Sequence, residues 1–132
     1  MYLLDTNICI YFLNGISLSV KENLLLKNPE NIYLCSVVKA ELYYGAIKSK
    51  YQNQNILKID RFAEKFISLS FDDSASLIYG GIRAELESKG IPIGPNDLMI
   101  ASIAIANNLI LVTNNTKEFG RIQKLSLENW TE

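Results

Sequence analysis

Between Leu98 and Thr116 the chain carries no charged residue, a stretch long enough on hydropathy alone to suggest a membrane span. Asn107-Asn108 breaks it. The part before that pair, "GPNDLMIASIAIANN", reads as a helix that is apolar nearly all round, with Pro95 suited to its first turn. The part after it, "LILVT", reads as a strand buried on both faces. A core helix feeding a core strand points to a sheet covered by helices rather than to a bundle or a sandwich.

The other segments keep the same alternation. "MYLLD" is a short strand, "NICIYFLNG" a helix stopped by Gly15, "LSVKENLLLKN" a second helix before Pro29, and "IYLCS" a strand. Ser36 is suited to cap "VVKAELYYGAIKSK", where Val38, Leu42 and Ala46 recur at helical spacing, and Gln52 to Ile67 supplies a further amphipathic helix. "ISLSF" is a third strand; Asp72 or Asp73 caps "SASLIYGGIRAELESK", which ends at Gly90 with Pro92 beyond; "KLSL" is a last edge strand. No linker or repeat divides the sequence. The expected fold is one domain over residues 1–132, a three-layer α/β/α architecture around a mainly parallel central sheet. In such sheets ligands bind beyond the carboxyl ends of the strands.

Composition narrows the chemistry. The chain has no histidine, which excludes a Ser-His-Asp or Cys-His catalyst and a histidine-liganded zinc site. Cys9 and Cys35 lie in apolar segments without C-x-x-C spacing and read as small core residues. No basic segment precedes the first apolar run, and Asp5 interrupts that run, so no signal peptide is read and a cytoplasmic protein is expected. The net charge of -1 gives no general attraction for nucleic acid, so such binding would need local patches. Lys39, Lys48 and Lys50 with Arg61 and Lys65 are candidates, although solvated helix faces account for such charges equally well.

Four acids fall at or near the carboxyl ends of the expected strands. Asp5 ends the first; Glu41 lies little more than a turn into the helix after "IYLCS"; Asp97 is in the first turn of the apolar helix; Glu118 follows "LILVT" through "NNTKEF". Each has an ordinary explanation when taken singly. Asp5 with Thr6 and Asn7 makes a helix cap, Asp97 suits a helix dipole, and Glu41 and Glu118 could be solvated surface acids. Gathered in one crevice, however, they would repel one another and raise each other's pKa. A divalent cation with hard oxygen ligands resolves that repulsion, lowers the pKa of a bound water and neutralises charge on a phosphodiester, all without histidine.

These segments resemble a known family. "YLLDTNICIYFL", "AELYYGAIKS", "IRAELESKGIPIGPNDLMIASIA" and "LVTNNTKEFGRI" with "LENW" are together similar to PIN-domain ribonucleases of the VapC toxin type, over essentially the whole chain. The resemblance implies a Mg2+-dependent endoribonuclease, with Mn2+ as a substitute, leaving a 5′-phosphate and a 3′-hydroxyl on structured RNA such as a tRNA stem-loop. It implies Asp5 and Asp97 as metal-binding carboxylates and Glu41 as the third essential acid. Many members place an aspartate where this chain has Asn115, and Glu118 is the nearest acid, so one firm and one conditional metal site are expected. Thr6, Asn7, Thr113 and Asn115 are candidates for hydrogen bonds that orient the carboxylates or a bound water.

The resemblance also implies partners: a homodimer held inactive by a VapB-like antitoxin, whose own DNA-binding part would bring the complex to operator DNA. "IYFL", "NLLLK" and "LYYG" offer apolar side chains for a helix-in-groove contact, though most of these are expected in the core. Two other functions compete. A catalytically weak or inactive protein-binding module is encouraged by Asn115. A phosphotransfer domain using Asp5 as acceptor is disfavoured, because Thr6 and Asn7 stand where a second acid on the same loop is wanted.

Overall fold

The computed structural model describes residues Met1 to Glu132. Its centre is β1 (Tyr2–Leu4), which pairs in parallel with β2 (Ile32–Cys35) on one side and β4 (Ile110–Val112) on the other. Tyr2 stands opposite both Ile32 and Ile110. Two edge strands, β3 (Ile67–Leu69) beside β2 and β5 (Leu127–Glu128) beside β4, complete the order β3-β2-β1-β4-β5, every pair parallel.

The burial pattern explains the layers. Successive residues of a strand face opposite sides of the sheet, yet Leu3 and Leu4 are both fully buried, as are Leu34 and Cys35, and Leu111 and Val112. Only cover on both faces does this. Seven helices supply it: α1 (Thr6–Leu13), α2 (Leu18–Leu26), α3 (Ser36–Lys48), α4 (Gln52–Ala63), α5 (Asp73–Ser88), α6 (Pro95–Ala106) and the short α7 (Thr116–Phe119). The three-layer α/β/α fold with a parallel sheet is therefore present, and one continuous hydrophobic core runs through it. As its all-round apolar sequence predicts, α6 is sandwiched: Leu98, Ile100, Ala101, Ile103 and Ala104 are buried, and the one buried hydroxyl, Ser102, donates to the Leu98 carbonyl at 2.6 Å. No helix is long and apolar enough to cross a membrane.

The stops also follow local chemistry. Asp72 accepts from Ala75 N at 3.0 Å and caps α5, and Gly90 beyond its end has φ +69°. Asn108, with φ +54°, makes the left-handed turn that follows α6 and releases β4. Three details differ from the sequence expectation. The N-cap of α3 is Cys35; Ser36 is already helical and donates to the Leu69 carbonyl, tying the helix to β3. Helix α4 stops at Ala63, not Ile67, because Lys65 and Phe66 N–H groups turn back to Phe62 and Ala63 and the Phe66 ring packs edge-on against Phe62 at 5.2 Å. The last strand is Leu127–Glu128, slightly beyond "KLSL", since Leu125 is drawn into the core by a turn on Ile122 and Trp130 anchors the end against Tyr2 at 5.3 Å.

Truncating a fully buried central side chain should be expensive and truncating an exposed one should not. Leu111→Ala is expected to lower unfolding free energy in urea by about 2–5 kcal/mol, whereas Leu77→Ala, at a position 81% exposed, should change it by no more than about 0.5 kcal/mol.

Candidate active site

With all strands parallel, their carboxyl ends share one edge, and there the chain leaves β1 toward β2 but leaves its neighbour β4 toward β5. Asp5 is delivered to that edge by β1, Thr113 by the adjacent β4, and α3 starts there directly after β2. Asp5 is only 5% exposed. Its Oδ1 accepts from Thr6 N at 2.8 Å, capping α1, and its Oδ2 accepts from Thr113 Oγ1 at 2.8 Å. The capping role and the crevice position thus belong to the same side chain. Burial raises the Asp5 pKa, the two hydrogen bonds oppose that rise, and the nearby Glu41 charge adds to it.

Glu41 stands on α3, and its Oε1 accepts from Thr6 Oγ1 at 2.8 Å. Thr6 therefore links the first two acids, one through its backbone N–H and the other through its hydroxyl. Asp97 lies in the first turn of α6, half-buried. Its pKa is pushed from an ordinary 3.8 to about 6, first by desolvation and then by the charges of Asp5, Glu41 and Glu118. Asp97 thus feels the charge of each of the other three acids, and Asp5 that of Glu41. No lysine or arginine forms an ion pair with any of them; the two salt bridges of the molecule, Arg83–Glu87 and Lys89–Glu85, lie on α5 and just beyond its end.

The neighbours divide. Thr113 and Thr6 bind carboxylates as expected, and Asn115 donates through Nδ2 to Glu118 Oε2 at 3.1 Å while its backbone N–H reaches Thr113 Oγ1 at 3.0 Å. Asn7 lines a cavity of about 680 Å³ with Thr6, Tyr44, Asn96, Met99 and, of the four acids, Glu41 alone, and it makes no hydrogen bond to a carboxylate. Glu118 is held on α7, whose closure needs Gly120: a Cβ there would lie 2.6 Å from the Thr116 carbonyl oxygen. Asn114 was not singled out by the sequence; its Nδ2 donates to the Tyr11 hydroxyl at 2.8 Å, pinning the loop after β4 to α1. Only its place beside Thr113 hinted at this.

The donor set is all oxygen, which suits a hard divalent cation and not zinc or copper. The buried thiols do not join it: desolvation drives Cys9 well up and Cys35 to about 11, with the negative charge of Asp5 adding to both. No three acidic or thiol side chains converge tightly enough to form a ready-made cage. A cation here would be met by one or two carboxylates and complete its shell with water and substrate oxygens, the usual manner of Mg2+.

The raised Asp97 pKa has a consequence for the metal-free protein. The folded state keeps the Asp97 proton up to about pH 6, whereas the unfolded chain releases it near pH ~4. Between those values the native state binds more protons, so stability should fall as pH rises through that window. After allowance for solvent screening of a half-exposed group the loss should be roughly 1 kcal/mol. Urea titrations of metal-free protein at pH 4.5 and 7 are expected to show it, and Asp97→Asn should flatten the dependence.

The PIN domain family profile matches residues 2–125. "Ribonuclease VapC2" of Rickettsia felis is 50% identical over 131 residues, covering 98% of each chain, and "tRNA(fMet)-specific endonuclease VapC" of Shigella flexneri is 42% identical over 130 residues, again 98% of each. Among solved structures, VapBC2 of Rickettsia felis bound to a DNA fragment from its promoter superposes with a TM-score of 0.91 at 50% identity, covering 98% of both chains. DNA-bound VapBC of Salmonella typhimurium gives 0.92 at 38% identity, covering 98% of this chain and 97% of that one. The fold, the acidic crevice and these likenesses agree: the chain belongs to the PIN domain family, among its VapC ribonucleases.

Proposed function

We propose that the chain, acting as one nuclease domain over residues 1–132, hydrolyses RNA phosphodiester bonds endonucleolytically at Asp5, Glu41, Asp97 and Glu118, as the toxin of a toxin–antitoxin pair. The observation that carries the chemistry is the junction of Asp5 and Glu41 on the N–H and hydroxyl of Thr6, with Asp97 close enough to feel both charges and that of Glu118, and with none of the four in an ion pair. PIN-domain nucleases in general depend on a divalent metal; Mg2+, with Mn2+ as substitute, is the ion this donor set fits.

Asp5 and Asp97 would hold the ion, which when bound supplies a water of lowered pKa and offsets charge on the scissile phosphate. Thr113 fixes one Asp5 oxygen and the Thr6 N–H the other, so Asp5 meets its ligand in one orientation. Thr6 likewise fixes Glu41 Oε1 and leaves the second Glu41 oxygen to take the proton of the attacking water. As water adds to phosphorus, the bond to the 3′-oxygen breaks; that oxygen leaves as a 3′-hydroxyl after taking a proton, and the phosphate stays on the 5′ side. Glu118, oriented by Asn115, contributes negative charge at the rim and would support a second, weaker ion.

Two relatives are named as tRNA(fMet)-specific endonucleases, which supports structured RNA, tRNA in particular, as the substrate class. The solved VapBC assemblies support a VapB-like antitoxin as partner, with operator DNA reached through it, and a homodimeric toxin within that assembly. A groove suits the antitoxin: Ile10, Leu13, Leu42 and Ile59, with Asn14, Ser49, Asn55 and Lys58, line a cavity of about 290 Å³ that has Glu41 on its wall, so a helix lying in it would reach that acid and an arginine on it would pair with it in place of the cation. Of the segments flagged in the sequence, Leu25 and Leu26 are exposed, whereas Tyr11, Phe12 and Leu13 are partly buried against the core.

Purified protein with a tRNA substrate should cut in Mg2+ or Mn2+ and stop on addition of chelator. Asp5→Asn, Glu41→Gln and Asp97→Asn should each lower the rate by at least about 100-fold, the loss typical of removing a group that stabilises transition-state charge. Cleavage that survives the chelator or Asp5→Asn would overturn the assignment.

A further inference from the structure

Seven tyrosines are present, and five of them are engaged within the chain. Tyr2 stacks edge-on with Trp130; the hydroxyls of Tyr11, Tyr33 and Tyr43 bond Asn114, Met1 and Asp60; Tyr79 holds Arg83 and packs on Phe71. Tyr44 and Tyr51 are the exceptions. They have no hydrogen bond and no aromatic neighbour, they are 63% and 58% exposed, and each has only a lysine over its ring: Lys48 Nζ 5.1 Å from the centroid of Tyr44, Lys50 Nζ 5.5 Å from that of Tyr51.

Position gives the pair meaning. Glu41, Tyr44 and Lys48 are three and four residues apart on α3, so they share one helix face. Tyr44 lines the same crevice as Glu41 and Thr6. Lys48 follows about 6 Å further along the axis, and Tyr51 with Lys50 lies just past the end of the helix. An RNA drawn into a crevice with four acids meets repulsion there, so the phosphates flanking the cut need cations outside it. Exposed aromatic rings alternating with lysines are the usual platform for unpaired nucleotides, each base stacking on a ring and each phosphate meeting a cation.

We propose that Tyr44 and Lys48 form an RNA subsite beside the acidic crevice. An unpaired base next to the scissile bond stacks on the open face of Tyr44, the adjoining phosphate binds Lys48, and Tyr51 with Lys50 extends the track. The cation–π contact keeps the Tyr44 ring oriented before RNA arrives. This deepens the endoribonuclease reading and rests on it. The lysines and the continuity with the crevice favour a polyanion over a protein helix on this face.

The test separates binding from cutting. Affinity of the full chain carrying Asp5→Asn for a fluorescein-labelled unstructured oligoribonucleotide is measured by anisotropy against salt, beside KM and kcat of the parent with Mg2+. Adding Tyr44→Ala should weaken binding and raise KM about tenfold, with kcat altered less than about threefold; Tyr44→Phe should restore both. Lys48→Ala should weaken binding severalfold and reduce the salt slope by about one. Leu77→Ala, at an exposed position lining a different cavity, should do neither. Unchanged affinity and KM in Tyr44→Ala, or a loss that Tyr44→Phe does not restore, would overturn the subsite. So would variants that weaken only the hold of a VapB-like antitoxin, since the face would then belong to the protein partner. A parent chain that binds RNA through Tyr44 without cutting it would sink the nuclease reading and leave the subsite standing.

Discussion

The arrangement depends on a carboxylate kept almost out of water at the end of the central strand. Isolated, a buried carboxylate would take up a proton rather than remain charged. Asp5 is restrained from doing so by Thr6 N–H and Thr113 Oγ1, one from the helix that β1 leads into and one from the strand beside it. The first is local to the helix start; the Thr113 bond exists because β1 and β4 are adjacent, parallel and in register, Leu4 opposite Val112, so that the residues just past both strands arrive side by side. The order of the strands is therefore part of the electrostatics of the crevice.

From that anchor the remaining acids are held at different strengths. Glu41 is fixed by the Thr6 hydroxyl, Glu118 by an amide three residues earlier in its own loop, and Asp97 by no hydrogen bond in the chain. Asp97 is also the carboxylate that the other three displace most clearly. A group free to turn and under repulsion is the one best placed to respond to an arriving cation. No three of the acids form a closed cage, and such a set leaves coordination positions for water and phosphate oxygens that a cage would fill.

Much of this was legible in the residues. The parallel sheet followed from apolar strands with no polar alternation, and the sandwiched helix from its lack of a polar face; both stand as read. The four acids were found because the fold class assigns function to the carboxyl edge of a sheet, not because spacings of tens of residues say anything by themselves. The finer partners were not legible. That Thr6 would serve two carboxylates at once, or that Tyr11 would reach Asn114 across 103 positions, depends on how helices settle on the sheet. The same holds for Asn7, whose place beside Asp5 and Thr6 suggested a bond that the crevice geometry does not make. Element ends shifted where a tertiary contact outweighed local preference, as when Phe66 turned onto Phe62 and cut α4 short.

The borders of the sheet carry a last consequence. One edge strand has three residues and the other two. Such stunted margins present too little unpaired backbone to template addition of strands from other chains. Strand addition is thereby disfavoured as a route to association, which leaves that part to helix faces, where side chains choose the company.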